Sequence, residues 1–200
     1  MIYLVTGGSA SGKSEYAEKL VTTFGGTERY YIATMKPYDE ESFRRIDRHR
    51  NMRRDKGFTT VERYVNLAGM TLPERKCTGD VCGEFSVGEQ RVQAMTKGTA
   101  LLECMSNLVA NEMYLPEGAG KETVDVIVAG VKSLSEKLDH LIIVTNEVFS
   151  DGVIYDEFTK EYLTVLGEIN QKLAAMADVV VEVVYSIPVI YKGAEYVQFI

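Results

Sequence analysis

Gly7, Gly8, Ser9, Ala10, Ser11, Gly12, Lys13 and Ser14 match the pattern Gly-x-x-x-x-Gly-Lys-Ser and directly follow the apolar run Ile2-Tyr3-Leu4-Val5. A strand ending in a glycine-rich turn aims successive backbone N–H groups at one point, and the helix that follows adds the positive end of its dipole there. Polyphosphate fits such a cradle. Lys13 is expected to reach the β- and γ-phosphates and Ser14 to offer its hydroxyl to Mg2+. The glycines permit backbone angles and a close approach that a Cβ would forbid. A glycine-rich turn with a stray lysine is the plainer reading, but the strand before the motif and the helix after it favour a phosphate loop.

Apolar runs of strand length alternate with stretches of helical period, the pattern of a mainly parallel sheet covered by helices on both faces. The expected fold class is α/β, P-loop NTPase-like, with an antiparallel edge. Expected strands are Ile2 to Thr6, Tyr30 to Thr34, Phe58 to Val61, Ala100 to Leu102, Leu141 to Thr145 and Val179 to Val184. Ile187 to Tyr191 and Tyr196 to Ile200 read as a closing hairpin around Lys192-Gly193-Ala194-Glu195. Val124, Ile127, Val128, Val131, Leu134 and Leu138 mark one amphipathic helix, and Phe158, Tyr162, Val165, Leu166, Ile169 and Leu173 mark another. Both stripes read as core. Residues 69 to 98, with Gly69, Gly79, Gly83, Gly88 and Gly98, read as an irregular insertion in a single domain spanning 1–200.

The bulk composition excludes several classes. With 46% apolar residues over 200 positions the chain can bury a core without staples. Its formal charge of -7 is a poor match for nucleic acid, so anion binding must come from a local concentration of cations. No apolar run approaches membrane-spanning length, and the chain opens on a strand without a basic leader, so a cytoplasmic location is expected. Three cysteines argue for thiols rather than a disulfide framework. Cys77 and Cys82 have no second pair with zinc-site spacing.

The local cation concentration is the segment from Asp39-Glu40-Glu41 through Arg44, Arg45, Arg48, Arg50, Arg53 and Arg54, acidic at its start and basic at its end as a helix prefers. Arg45, His49 and Arg53 are spaced four apart and share one face. A solvated basic helix has the same composition. Beside a phosphate loop, a histidine between two arginines is a place to attack or hold a second phosphate. Neighbouring positive charge disfavours the imidazolium and leaves a neutral nitrogen as nucleophile. Glu103 ends the apolar run Leu101-Leu102, where phosphate-loop enzymes keep a carboxylate for the metal or its waters, commonly an aspartate. Asn146-Glu147 follow Leu141 to Thr145 at another strand's carboxyl end, where ligands of such sheets bind. Asn146 lacks the Lys-x-Asp of guanine-reading GTPases. His140 is expected at a surface or sheet edge.

Together these pieces resemble the bifunctional adenosylcobinamide kinase and adenosylcobinamide-phosphate guanylyltransferase family of cobalamin biosynthesis. The resemblance runs over most of the chain. It rests on Val5-Thr6-Gly7-Gly8 with Ser11-Gly12-Lys13-Ser14, on Tyr31-Ile32-Ala33-Thr34, and on Asp39-Glu40-Glu41 with Arg45-Ile46, His49 and Arg53. Thr60 and Glu62, Leu101-Leu102-Glu103-Cys104 with Asn111, Val144 to Val148, and Asn170 to Ala175 with Ala177-Asp178 complete it. It implies ATP or GTP phosphorylating adenosylcobinamide, then guanylyl transfer from GTP through a covalent adduct on His49 to adenosylcobinamide phosphate. It implies His49 and Lys13 as catalytic residues. Nucleotide contacts fall on Gly7 to Ser14 and on Thr34, Arg45, Arg53, Glu62 and Glu103, with Ser14 and Glu103 on Mg2+. It also implies a trimer with a corrinoid partner.

Two features depart from the family pattern: Ala10 stands where an arginine is usual, and residues 69 to 98 have no clear counterpart. A small-molecule or nucleoside kinase without a covalent adduct, and a non-catalytic nucleotide-binding regulator, share the phosphate loop. An RNA-binding module disagrees with the acidic balance and the lack of an aromatic platform.

Overall fold

The computed structural model describes residues 1–24, 28–73, 86–87, 90–91, 97–150 and 152–197, with only the backbone described for Arg45, His49, Met52 and residues 86, 87, 90 and 91. In chain order the elements are β1 (Ile2–Thr6), α1 (Lys13–Thr23), β2 (Arg29–Ala33), α2 (Glu40–Arg53), β3 (Phe58–Glu62), β4 (Ser86–Val87) and β5 (Gln90–Arg91). They continue with β6 (Thr99–Glu103), α3 (Met105–Tyr114), α4 (Thr123–Ser135), β7 (His140–Val144), α5 (Glu157–Met176), β8 (Val179–Val184) and β9 (Ile187–Lys192). The main sheet has the order β3-β2-β6-β7-β1-β8-β9. Its first six strands run parallel, and β9 closes one edge antiparallel to β8.

Strand alternation sorts the core onto two faces. Ile2, Leu4, Ile32, Leu102 and Ile143 pack on one side against Leu108 of α3, Ile127 and Val131 of α4, and Leu166, Ile169 and Leu173 of α5. Tyr3, Val5, Tyr31, Leu101, Ile142 and Val181 face the other side, against Ala17, Leu20 and Val21 of α1. Because both faces are covered, central strands read as continuous apolar runs rather than alternating ones. Each fully buried aliphatic side chain contributes roughly 1.5–3 kcal/mol. α2 is capped at Asp39, whose carboxylate accepts from the Ser42 N–H at 2.7 Å while the Ser42 hydroxyl accepts from the Asp39 N–H at 3.0 Å. Beyond its other end, Lys56 pairs with the buried Glu18 of α1 at 2.5 Å.

The parallel register determines where chemistry can gather. Ala33 pairs with both Glu62 and Glu103, Glu103 pairs with Val144, and Val144 pairs with Val5. The residues leaving β1, β2, β3, β6 and β7 therefore emerge along one rim of the sheet, the crevice side of such folds.

Several expectations are corrected. The closing hairpin is β8–β9, turning at Tyr185-Ser186, whose φ values of 50° and 63° are the left-handed pair of a tight hairpin turn. A Tyr-Ser pair carries none of the Asn-Gly chemistry that marks such turns, so the turn was invisible in the sequence. Gly193, at φ 75°, leads into the 3-10 turn Ala194–Tyr196 instead of a hairpin loop, and residues 198–200 lie outside the described residues. Phe158 is not core: it is 62% exposed, stacked on Tyr114 at 4.4 Å. His140 does not lie at an edge, since it starts the central strand β7, where it is half-buried with its ring stacked on Phe24 at 4.0 Å. The segment from 69 begins inside the core: Met70 is buried, and the 3-10 turn Leu67–Gly69 packs on Gly130 of α4. β4 and β5 pair antiparallel within it, while Cys77, Cys82, Gly79, Gly83 and Gly88 lie outside the described residues.

Candidate nucleotide site

In the loop from Gly7 to Ser14, the contacts at Gly7 and Gly12 leave no room for a side chain. A Cβ on Gly7 would lie 2.6 Å from the Val183 carbonyl oxygen, and one on Gly12, at φ 92°, would lie 2.5 Å from Ser186 Oγ. Ala10 adopts a left-handed φ of 56° where an arginine is usual in the pattern. The β8–β9 turn holds the loop from outside through the Ser186 N–H donating to the Ser11 carbonyl at 2.8 Å. From the other side the Glu147 N–H donates to the Gly7 carbonyl at 3.0 Å. Lys13, the first residue of α1, is buried and donates to the Gly8 carbonyl at 2.9 Å. Burial pulls its ammonium below the usual lysine range, with Cys104 and Glu103 opposing that shift.

Glu103 ends β6 facing the loop. Ser14 Oγ donates to Glu103 Oε1 at 2.5 Å, while Glu103 Oε2 is buried without a hydrogen-bond partner. A hydroxyl, a carboxylate and an orphaned carboxylate oxygen at a phosphate loop suit a hard divalent cation that takes its remaining oxygens from phosphate and water. Among the described residues no group of three or more His, Cys, Asp or Glu converges on one point.

These residues line one cavity of about 620 Å3 with Tyr31, Ile46, Arg48, Arg50, Arg53, Glu62, Asn107, Asn146 and Val148, within the roughly 300–1,000 Å3 usual for small-molecule sites. Arg53 is 5% exposed, its Cζ lies 3.3 Å from the Tyr31 ring centroid, and its Nε and Nη1 have no hydrogen-bond partner. Burial raises the Tyr31 phenol far above its usual range, with the Glu103 charge adding to the shift and Arg53 opposing it. Arg50 Nη2 donates to Glu62 Oε1 at 2.7 Å and the Tyr64 hydroxyl to Glu62 Oε2 at 2.8 Å. Burial and then Glu62 push that phenol up to about 12.

Of the residues expected from the sequence, Ser9, Ala10, Lys13, Ser14, Arg53, Glu62 and Glu103 line this cavity. Thr34 does not. It is fully buried, its hydroxyl donates to the Cys104 carbonyl at 2.8 Å, and its carbonyl accepts from Asn111 Nδ2 at 2.8 Å, so its polar groups brace the rim. The backbone of α2 carries positions 45, 49 and 53 one turn apart, while the side chains of Arg45 and His49 lie outside the described residues. Tyr31 reads in the sequence as an ordinary core residue, and nothing local to Asn107 or Cys104 marks them as cavity residues. Cys104 Sγ lies 3.0 Å from Ser106 Oγ, and burial raises its thiol pKa.

A profile of the family described as cobinamide kinase / cobinamide phosphate guanyltransferase matches residues 3–82 and 83–190. The chain belongs to this family. The bifunctional adenosylcobalamin biosynthesis protein CobU of Escherichia coli is 30% identical over 94% of this chain and 98% of its own. The CobU of Salmonella typhimurium is 28% identical over 94% and 98%. Among solved structures, the flagellar accessory protein FlaH of Methanocaldococcus jannaschii covers 96% of this chain and 77% of its own at 14% identity, with a TM-score of 0.47, too slight a likeness to bear on function. The family match thus runs from β1 through the phosphate loop into β9.

Proposed function

We propose that the protein phosphorylates adenosylcobinamide with ATP or GTP and then transfers GMP from GTP, through His49, to adenosylcobinamide phosphate, giving adenosylcobinamide-GDP. The observation that carries this reading is Arg53: a buried guanidinium with two unpaired nitrogens lines the same cavity as Lys13, one helical turn from position 49. An uncompensated buried cation is costly unless an anion arrives to pair with it.

In the first step Lys13 and the loop N–H groups hold the triphosphate while the acceptor hydroxyl attacks the γ-phosphorus and gives its proton to solvent, the bond to the β-γ bridging oxygen breaks, and the nucleoside diphosphate leaves. Alignment and charge neutralisation dominate such transfers. Ser14 and Glu103 would hold Mg2+, which when bound neutralises phosphate charge. In the second step a neutral His49 nitrogen attacks the α-phosphorus of GTP and pyrophosphate leaves with the bonding pair. A phosphate oxygen of the corrinoid then displaces the imidazole, breaking the P–N bond. Arg53 balances the charge that builds on the α-phosphoryl oxygens.

The reading is tested by following pyrophosphate and corrinoid together. GTP with adenosylcobinamide phosphate should yield one pyrophosphate per adenosylcobinamide-GDP. Tight GTP binding with neither product would favour a nucleotide-binding regulator, and phosphorylation alone would favour a kinase.

A further inference from the structure

At Val148 the cavity meets apolar surface. Val148 also lines a neighbouring cavity of about 400 Å3 whose walls include Phe149, Val153, Ile154 and Leu163. Phe149 is 46% exposed, Val153 57% and Ile154 93%. So dense a run of apolar surface beside a ligand cavity marks a binding face rather than the scatter of a soluble surface. The run is also held in register with the phosphate loop. The Glu147 N–H donates to the Gly7 carbonyl at 3.0 Å, and Glu147 Oε1 accepts from the Phe149 N–H at 3.0 Å and the Ser150 hydroxyl at 2.9 Å. The start of the apolar run is therefore tied to the phosphate loop.

We propose that residues 148–150 and 152–155 form the seat for the macrocycle of the corrinoid acceptor, an inference that rests on the function proposed above. A corrin is a broad, methyl-bearing plate with carboxamides around its rim, and its reactive hydroxyl hangs on a side arm. The plate must lie beside the phosphate site while the arm enters it. The first cavity suits the rim: Asn107 and Asn146 line it with neutral amides, matched to carboxamides rather than to an anion, and the Asn146 amide is held by Nδ2 donating to Ser106 Oγ at 2.7 Å. Apolar surface on Val148, Phe149, Val153 and Ile154 then meets the face of the plate. The exposed apolar residues Ile187, Val189 and Tyr191 of β9 line neither cavity and offer no such continuity.

The test uses the full chain carrying Val153→Asp and Ile154→Asp, both exposed positions outside the phosphate machinery, with adenosylcobinamide as the probe. The KM for the corrinoid in the kinase step should rise roughly tenfold to a hundredfold, the loss expected when two aliphatic contacts are replaced by charge. The KM for the nucleotide, and adduct formation from GTP alone, should stay within about twofold of the unaltered protein, since neither uses the seat. A Val189→Asp variant on β9 is the surface control and should leave the corrinoid KM unchanged. An unchanged corrinoid KM in the double variant, or an equal rise in the control, overturns the seat. If the unaltered protein turns over no corrinoid at all, the proposed function fails and the seat fails with it.

Discussion

The guanidinium carbon of Arg53 lies 3.3 Å from the centroid of the Tyr31 ring, and the pair is buried at the wall of the cavity that holds Lys13. The ring face offers a partial counter-charge and fixes the guanidinium plane. It does not satisfy Nε or Nη1, which have no hydrogen-bond partner. The arrangement keeps a cation in readiness for an anion at some expense to the empty fold.

Arg53→Met should therefore raise the thermal stability of the nucleotide-free protein or leave it unchanged, because replacing a poorly compensated buried charge with an apolar chain is often neutral or stabilising by about 1–4 kcal/mol. The same variant should lose GTP affinity by roughly tenfold to a hundredfold, the worth of a charge-assisted hydrogen bond of about 1.5–3 kcal/mol. Tyr31→Phe keeps the ring face and should resemble the unaltered protein in both respects. Melting curves with and without GTP check both. A lower Tm with unchanged GTP affinity would make Arg53 purely structural.

Ser14 and Glu103 make one unit through their 2.5 Å contact. Glu103→Gln keeps the size but removes the charge, so phosphoryl transfer should fall by at least about a hundredfold, in line with removing a preorganised electrostatic group. Its Mg2+ requirement should shift to higher concentration. EDTA should abolish transfer in the unaltered protein, and activity that survives EDTA would remove the metal role assigned to this pair.

The acid side of the stability profile should carry the mark of His140. Burial lowers its pKa below the usual 6.5, the N-terminal charge adds to that shift, and Asp139 opposes it. The native state thus binds fewer protons than the unfolded chain between the two values. Stability is present in full above 6.5 and is lost as pH falls through the folded value. Denaturant midpoints at pH 7.5 and pH 5.5 should differ more for the unaltered protein than for His140→Asn. Equal differences would place the acid sensitivity elsewhere.

The sequence exposed those parts of the molecule whose physics is local or periodic. Ile2–Thr6 and Val179–Val184 are strands at the expected residues, and β2, β3, β6 and β7 lie within one residue of expectation, because burial on both faces leaves an unmistakable apolar run. The phosphate loop was legible because backbone geometry restricts which residues can stand there, and the position of Glu103 at a strand end followed from the apolar run before it. What escaped depended on long-range packing. Tyr31 gained its role from Arg53, 22 residues onward, and Thr34 spent its hydroxyl on a carbonyl 70 residues away. The hairpin turn uses Tyr185 and Ser186 in backbone conformations their residue types do not advertise.

The most direct test of the whole account is the state of His49 after exposure to GTP labelled at the α-phosphate, without any corrinoid. The account predicts protein-bound GMP that is labile to acid, chases onto adenosylcobinamide phosphate, and is absent from His49→Ala. Label that persists in His49→Ala, or an unaltered protein that releases no pyrophosphate and takes up no label, would contradict it.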